Sequence, residues 1–321
     1  MTSSVKPAFI PVTAALTRPE ALFNHTDVAL PYRSARAIRD REVTAFIEAA
    51  DAENDLLDAL QDPHIRVRFL AAFPGWLQSS KRNRLVALET LPYVSFTCGT
   101  IQAFDAFYLE HRHRRFRCFR GDFMYHLATW RRGFAFAYIE DAPIAPDDAV
   151  VISLPFSDSG TKHARMDETL ADCDRLNIPV LVDCAYMNIA GNIDFDFSHP
   201  CISVVAFSLS KTFFGFDKLR IGVRFSRSFV DDFIDTYNTV EMSNQYSCHI
   251  GLKAISHFPV DHTFDKHREG QLALCNDLKV APSDCVIFGI GGEQWQAYNR
   301  GTATNRLCLS SLLELADEKT R

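Results

Sequence analysis

Apolar runs and stretches at helical spacing alternate through the middle of the chain. The runs predict strands at residues 93–96, 115–119, 134–139, 149–154, 180–183, 203–208 and 220–225. The stretches between them predict helices that include residues 101–111, 123–132 and 166–176. This alternation predicts an α/β fold with a mostly parallel, mixed sheet sandwiched by helices. Ligands of such sheets bind at the carboxyl ends of the strands.

The two ends of the chain have a different character. Prolines at positions 7, 11, 19 and 31 predict an N-terminal arm over residues 1–37. Further helices are predicted over residues 35–60, 74–88 and 229–258. With 321 residues the chain exceeds the size at which one core stops growing. We therefore predict a large domain over residues 38–240 and a shortened, α+β small domain over residues 241–321.

One apolar run ends in two hydroxyl groups and a lysine, in the order Ser208, Ser210 and Lys211. This pattern is typical of a buried strand that delivers a lysine into a pocket. An ammonium group is costly to bury unpaired, and a desolvated lysine with a lowered pKa is the kind that forms Schiff bases with carbonyl cofactors. The alternative for an isolated lysine of this type is a surface position at the start of a loop.

Other residues decide between these interpretations. Upstream, an apolar run ends in Asp183, and Tyr186 follows three residues later; downstream lie Arg220 and Gly222. This ordered set resembles the pyridoxal-phosphate (PLP) enzymes of fold type I, in particular the class I/II aminotransferases. The resemblance covers residues 93–255 with motifs. It implies the PLP-transferase fold type I for the large domain and PLP as the cofactor.

The resemblance also gives the residues their roles. Lys211 would hold PLP as a Schiff base and then move the substrate proton as general base and acid. Asp183 would pair with the pyridine nitrogen and keep it protonated. Tyr186 would donate a hydrogen bond to the phenolate oxygen of the ring.

A turn between a strand and a helix is the candidate phosphate site. Gly99 lets the backbone approach an anion closely, and the N–H groups of Thr100 and Ile101 at the helix start favour phosphate. An ordinary strand–helix turn is the alternative. The resemblance supports the phosphate site and adds three side chains to it: Arg220, Ser208 and Ser210.

Three further positions are assigned by the resemblance. Phe123 would stack on the cofactor ring, with Tyr125 and Trp130 as alternatives and core packing as a competing role. Arg306 would bind the substrate carboxylate, although a plain arginine at a strand edge fits its position as well. Ser157 stands where the family usually has an Asn that hydrogen-bonds the phenolate oxygen. This departure predicts altered reactivity.

The resulting hypothesis is a PLP-dependent enzyme that acts on an amino acid, as an aminotransferase with a 2-oxo acid as acceptor. The same machinery serves elimination, cyclisation or replacement reactions, so those remain alternatives. A non-catalytic scaffold on this fold is a third possibility, which the presence of both Lys211 and Asp183 argues against. Related active sites lie at a subunit interface, so we expect a homodimer.

Composition narrows the remaining classes. The net charge of −6 gives no basic field for nucleic acid, and a basic run over residues 111–115, with Arg117 and Arg120, is interpreted as a solvated helix end and strand edge. The nine cysteines lack C-x-x-C pairing, which suggests a reducing compartment. No apolar stretch approaches the length of a membrane span, and the N-terminus lacks a leader pattern. We expect a cytoplasmic protein without a metal site.

Overall fold

The computed structural model describes residues 31–32, 34–52, 56–131, 133–302 and 304–319. Most of the predicted arm, residues 1–30 and 33, lies outside them. In the described residues the helices are, in chain order, α1 (Arg41–Ala52), α2 (Leu56–Gln61), α3 (Ile65–Gln78), α4 (Thr100–Glu110), α5 (Met124–Trp130), α6 (Met166–Leu176), α7 (Phe216–Leu219), α8 (Phe233–Thr239), α9 (Gln245–His257), α10 (His262–Leu278) and α11 (Ser310–Lys319).

The strands of the same residues are β1 (Arg84–Val86), β2 (Tyr93–Thr97), β3 (Arg115–Cys118), β4 (Phe136–Tyr138), β5 (Asp148–Ser153), β6 (Val180–Cys184), β7 (Asp194–Asp196), β8 (Ile202–Ser208), β9 (Gly222–Ser226), β10 (Ala281–Pro282), β11 (Phe288–Gly291) and β12 (Asn305–Cys308). A large sheet has the order β2-β9-β8-β6-β5-β3-β4. Its strands run parallel except β9, which is antiparallel to both of its neighbours. The predicted α/β fold with a mostly parallel, mixed sheet is confirmed.

The central strands are apolar on both faces because helices cover both sides. Alternate residues of β5 belong to different core clusters: Val151 packs with Phe107 and Tyr108 of α4, whereas Val150 and Ile152 belong to the larger cluster on the other face. On that face α3 contributes large aromatic side chains to the core. Burial of both faces explains why these strands are continuous apolar runs and do not alternate with polar residues.

The predicted helix over residues 74–88 is wrong. The helix is α3, which begins at Ile65, contains Pro74 and ends at Gln78, and Arg84–Val86 is a strand that pairs with β7. Proline removes one backbone donor and is normally read as a helix boundary. Here the helix continues through it because Phe69, Phe73 and Trp76 lie buried on one face, so packing outweighs the lost hydrogen bond.

The predicted helix over residues 229–258 is two helices, α8 and α9. Glu241 has a left-handed backbone (φ 60°), which a continuous helix cannot contain. Each helix has its own N-terminal cap, since Asp232 accepts hydrogen bonds from the Ile234 and Asp235 N–H groups and Asn244 accepts one from the Ser247 N–H. The caps specify two separate helix starts.

The basic run has a buried member, so its interpretation as a solvated segment is wrong for Arg117. The Arg117 side chain is fully buried and donates to Asp148 Oδ2 at 2.6 Å. The backbone oxygens of Ala137, Tyr138 and Pro143 accept its other N–H groups. This arginine joins β3 to the last residues of β4 and to the start of β5, as a satisfied buried charge.

The C-terminal part forms an antiparallel sheet in the order β10-β11-β12, covered by α10, on which α11 packs. Tyr32 joins β12 through two backbone hydrogen bonds with Cys308, of 2.8 and 2.9 Å. The helix α9 packs on α3, one of the helices that cover the large sheet. The limits of the two domains stay a prediction.

Asp40 anchors the start of α1. Its carboxylate accepts hydrogen bonds from the Glu42 and Val43 N–H groups, and Lys266 Nζ of α10 lies 2.8 Å from Oδ1. Burial opposes ionisation, yet the neighbouring His262, His267 and Lys266 hold the pKa of Asp40 well below its usual range. Asp40, Glu42 and His262 lie close together, and Lys266 Nζ, which is also 3.2 Å from Glu42 Oε2, offsets part of the charge of the two carboxylates.

All nine cysteines are free thiols, and eight of them are buried. Among the described residues, none of the helices is both long enough and apolar enough to cross a bilayer.

Candidate active site

The carboxyl ends of β5, β6 and β8 bring the predicted residues to one edge of the large sheet. Asp183 is paired in register with Ser153 of β5 and with Ala206 of β8. Ser208, at the end of β8, is paired with Gly222 of β9, and Lys211 follows three residues later. Residues far apart in sequence therefore lie on neighbouring strands at the edge where ligands of such sheets bind.

Asp183 is a buried carboxyl group with an open acceptor. One oxygen accepts a 3.0 Å hydrogen bond from the Ala185 N–H, and the described residues supply no other hydrogen bond to its side chain. Burial, with the charge of the nearby Asp122, raises the pKa of Asp183 to about 8. A cationic N–H donor at the open oxygen would favour the ionised form and make a charge-assisted hydrogen bond with the carboxylate.

Lys211 is a mostly buried amine. Among the described residues its ammonium forms no hydrogen bond and no ion pair, and burial lowers its pKa. The charges of Cys308 and Asp217 oppose this lowering of the pKa, and the repulsion of Arg220 and Arg306 adds a smaller contribution to it. A larger fraction of this amine is thus unprotonated at neutral pH than of an ordinary lysine, which suits a nucleophile.

The turn after β2 and the turn before β9 meet at two glycines. Gly99 has a left-handed backbone (φ 76°), and a Cβ at this position would lie 2.8 Å from Arg220 Nη2. A Cβ on Gly222 would lie 2.7 Å from Gly99 Cα and 2.7 Å from Thr97 Oγ1. Only residues without a side chain allow this approach, which places the Arg220 guanidinium directly against the N-terminus of α4.

Arg220 does not start a strand as predicted, since β9 begins at Gly222. Its backbone is left-handed (φ 56°) and closes the short helix α7. From there Nη2 donates a 2.8 Å hydrogen bond to the Cys98 carbonyl oxygen. At the helix start beside it, the N-cap residue Gly99 supplies no side-chain cap for the first N–H groups of α4.

Ser208 and Ser210 are both buried beside this turn. The Ser208 hydroxyl donates to Ser210 Oγ at 2.9 Å and accepts from the Ser210 N–H at 3.1 Å. Thr97 Oγ1 is buried in the same row of the sheet and has no hydrogen-bond partner in the described residues. Hydroxyl groups in this arrangement can donate to an anion in front of α4.

Aromatic side chains lie between β3 and α5. Phe123 is half-buried and stacks on Tyr125 at 6.1 Å, with Phe104 at its edge at 6.4 Å. Trp130 is fully buried and stacks on Phe116. Phe123 and Tyr125 keep exposed surface, whereas Trp130 packs within a core cluster; which of them stacks on the ring stays a prediction.

A second group of residues comes from the C-terminal sheet. Tyr186 packs edge-on against Phe288 at 5.4 Å, and burial raises the pKa of its hydroxyl. Arg306 of β12 is buried, lies over the Phe288 ring at 4.3 Å and donates to the Ser157 carbonyl oxygen. This packing brings together Arg306, which is predicted to bind the substrate carboxylate, Tyr186, and Ser157, the residue that differs from the family pattern.

Comparison with solved structures identifies the fold. A tyrosine aminotransferase from Leishmania infantum matches with a TM-score of 0.62 at 12% identity, over 98% of this chain and 100% of that one. A PLP-bound C-S lyase from Staphylococcus hominis matches with 0.61 at 12% identity, over 94% and 89%. A histidinol-phosphate aminotransferase from Clostridium acetobutylicum matches with 0.57 at 11% identity, over 89% and 98%.

The chain has the aminotransferase fold. No family model matches it, and no curated protein sequence does either. The likeness thus concerns the fold alone, and it agrees with the resemblance drawn from the motifs.

The residues of this aminotransferase fold suit PLP. The open oxygen of Asp183 provides a partner for a ring N–H, and the unpaired amine of Lys211 provides a partner for an aldehyde. Arg220, against Gly99, provides charge for a phosphate at the start of α4.

Two polar residues of the site were not predicted from the sequence. Asp122 is buried. Its position directly before Phe123, the candidate stacking residue, is the feature of the sequence that could have indicated it. Arg300 donates to the Ser157 carbonyl oxygen at 3.3 Å, and its Nη1 lies 3.9 Å from Asp158 Oδ1. Its position in an irregular segment before β12 gave no periodic signal.

Proposed function

We propose that this chain is a PLP-dependent aminotransferase that binds the cofactor covalently through Lys211. The observation that carries the proposal is the unpaired, mostly buried amine of Lys211 on the same sheet edge as the open carboxyl group of Asp183. When bound, PLP supplies an aldehyde that condenses with amines and a ring that withdraws electrons from the substrate Cα.

Lys211 has two tasks in this proposal. Its lowered pKa makes the unprotonated amine available for condensation with the aldehyde carbon. Once an amino acid substrate had displaced it, Nζ would be free to take the proton from the substrate Cα and to return it to the carbon of the former aldehyde, on the far side of the substrate nitrogen. Burial excludes bulk water from this amine and keeps the proton on the transfer path.

Asp183 and Tyr186 act on the two sides of the ring. Asp183 accepts a hydrogen bond from the ring nitrogen and keeps its proton in place, which maintains the electron-withdrawing form. Tyr186 donates its hydroxyl hydrogen to the ring's phenolate oxygen; its raised pKa keeps that hydrogen bound. Phe123 covers one face of the ring.

The phosphate and the substrate carboxylate bind at opposite ends of the site. Arg220 and the N–H groups of Thr100 and Ile101 hold the phosphate next to Gly99, with hydroxyl groups from Ser208 and Ser210. Arg306 orients the α-carboxylate of the amino acid, and of the 2-oxo acid in the second half of the reaction.

A second candidate is elimination from the substrate side chain. It is supported by the C-S lyase among the structures of similar fold and by Ser157 in the place of the family Asn. A serine is shorter and supplies a weaker contact to the phenolate oxygen, which changes the fate of the electrons drawn from Cα.

Product analysis separates the two candidates. Purified protein loaded with PLP is incubated with a panel of amino acids, with and without 2-oxo acids. Transamination predicts a 2-oxo acid product without free ammonia, and a turnover that requires the acceptor. Elimination predicts ammonia and pyruvate without an acceptor. If no amino acid gives either product, the proposed enzyme function is wrong.

A further inference from the structure

A second buried carboxylate lies beside Asp183. Asp122 follows β3 in the turn before α5 and is 6% exposed. Its oxygens accept hydrogen bonds from the Phe123 N–H at 2.7 Å, from the Ser153 N–H at 3.2 Å and from the Ser153 hydroxyl. These three donors fix the position of the carboxylate.

Ser153 connects this carboxylate to Asp183. The two residues are register partners on the parallel strands β5 and β6, so their side chains point to the same face of the sheet. The Leu154 N–H also donates to the Asp183 backbone oxygen at 2.8 Å. Asp122 and Asp183 therefore flank one serine at the carboxyl edge of the sheet.

The pair lacks a cation of its own. No ion pair joins either carboxylate to a side chain in the described part of the chain, and burying two such groups together is costly. Burial raises the pKa of Asp122 to about 6, although Arg300 and the three hydrogen bonds oppose this rise. A monovalent cation in front of the pair would remove most of the cost.

We propose that Asp122 and Asp183 form a paired anionic site for the protonated pyridine nitrogen of the cofactor. Asp183 accepts the ring N–H hydrogen bond. Asp122 does not touch the ring; it acts through Ser153 as a positioning residue whose negative charge helps to keep the proton on the ring nitrogen. This inference rests on the proposed function, because it requires that PLP binds at this edge.

The charged and titratable groups around Asp122 come from several elements. Asp183 faces it from β6, Tyr108 from α4 and Cys118 from β3. Arg300 approaches from the segment before β12, and Asp158 lies in the turn after β5, against Gly121. Arg300 acts on Asp122 through its charge without forming an ion pair with it, and its Nη1 donates to the Ser157 oxygen at 3.3 Å.

The test compares Asp122→Asn with the natural protein in PLP binding between pH 5 and 9. We expect the variant to bind PLP about tenfold more weakly above pH 6, as the loss of one pKa unit of coupling implies. Below pH 6 the difference should shrink, because the free carboxyl group becomes neutral there. The cofactor phosphate titrates in the same range, so only differences between proteins are compared.

An analogue of PLP with carbon in place of the ring nitrogen separates an effect on the charge of the ring nitrogen from a structural disturbance of the site. It should bind to Asp122→Asn and to the natural protein with equal affinity. Asp174→Asn is the control, since this half-buried carboxylate accepts from the Cys201 N–H before the amino end of β8, away from the carboxyl edge of the sheet; its PLP affinity should be unchanged.

Ser153→Ala is a second variant for the case that Asp122→Asn does not fold. This variant keeps the Asp122 carboxylate but removes one hydrogen-bond donor to it, so the carboxylate becomes protonated at a higher pH. The decline of PLP affinity on acidification should therefore begin at a higher pH than in the natural protein. An equal loss of PLP and analogue in Asp122→Asn, or an unchanged PLP affinity, overturns the inference, as does an unchanged pH profile in Ser153→Ala. Absence of PLP binding by the natural protein would instead overturn the proposed function.

Discussion

Two key ionisable residues of the candidate site are buried without a partner of opposite charge among the described residues. Asp183 and Lys211 are placed where their charged forms are disfavoured, and neither has an ion-pair partner in the described residues. Buried charges of structural sites look different: Arg117 and Asp148 neutralise each other at 2.6 Å. The contrast separates groups that await a ligand from groups that hold the fold together.

The raised pKa of Asp183 predicts a pH-dependent stability of the cofactor-free protein. The unfolded chain releases this proton near the ordinary value of about 3.9, whereas the folded chain holds it up to about pH 8. The folded state therefore binds more protons between these values, and its free energy of unfolding should fall as the pH rises from 4 to 8.

Thermal unfolding of the cofactor-free protein measures this effect. Asp183→Asn should flatten the decline in Tm over the same pH interval, because the amide does not titrate. An identical pH profile in both proteins would mean that Asp183 is ionised and compensated in the folded state.

Arg220 should discriminate between cofactor forms. A charge-assisted hydrogen bond contributes about 1.5–3 kcal/mol, which is on the order of ten- to a hundredfold in affinity. Arg220→Ala should weaken PLP binding by this factor and leave the binding of pyridoxal, which lacks the phosphate, almost unchanged.

Equilibrium titrations of both compounds provide the measurement. Arg84→Ala is the control, since Arg84 forms an exposed ion pair with Asp194 away from this edge. Equal losses of PLP and pyridoxal in Arg220→Ala would show that the substitution disturbs the fold and not a phosphate contact.

At the scale of elements, the two glycines join β2 and β9 where the phosphate site begins. Gly222→Ala would press a methyl group on the Gly99 backbone, so we expect a loss of about 1–3 kcal/mol in the free energy of unfolding and weaker PLP binding. Gly75→Ala, in an exposed turn of α3 with no atom within 4 Å of the new Cβ, should instead stabilise the protein by about 0.5–1 kcal/mol. Urea unfolding of both variants tests this pair, and equal effects would contradict the close approach.

The elements of the large sheet could be predicted because their residues are locally consistent. The runs that became β5, β6 and β8 are apolar throughout, so burial on both faces was visible in the sequence. The continuation of α3 through Pro74 could not be predicted, because tertiary packing of Phe73 and Trp76 outweighs the proline. Asp122 and Arg300 were missed for a similar reason: their neighbours in the site come from distant strands.

At the scale of the whole molecule, we propose a homodimer with the candidate site near the interface. Met124, next to Phe123, is 63% exposed and places a large apolar side chain at the edge of the site. Light scattering should give twice the mass of the single chain, and Met124→Asp should shift the protein towards the monomer. A monomer at micromolar concentration would contradict the proposed assembly.

The central claim is that Lys211 carries PLP covalently. Its test is borohydride reduction of the PLP-loaded protein, followed by peptide mapping by mass spectrometry. The account predicts one phosphopyridoxyl group on the peptide that contains Lys211, its loss in Lys211→Ala and its retention in Lys218→Ala, a nearby exposed lysine. A reduced cofactor on another lysine, or no adduct in the natural protein, would contradict it.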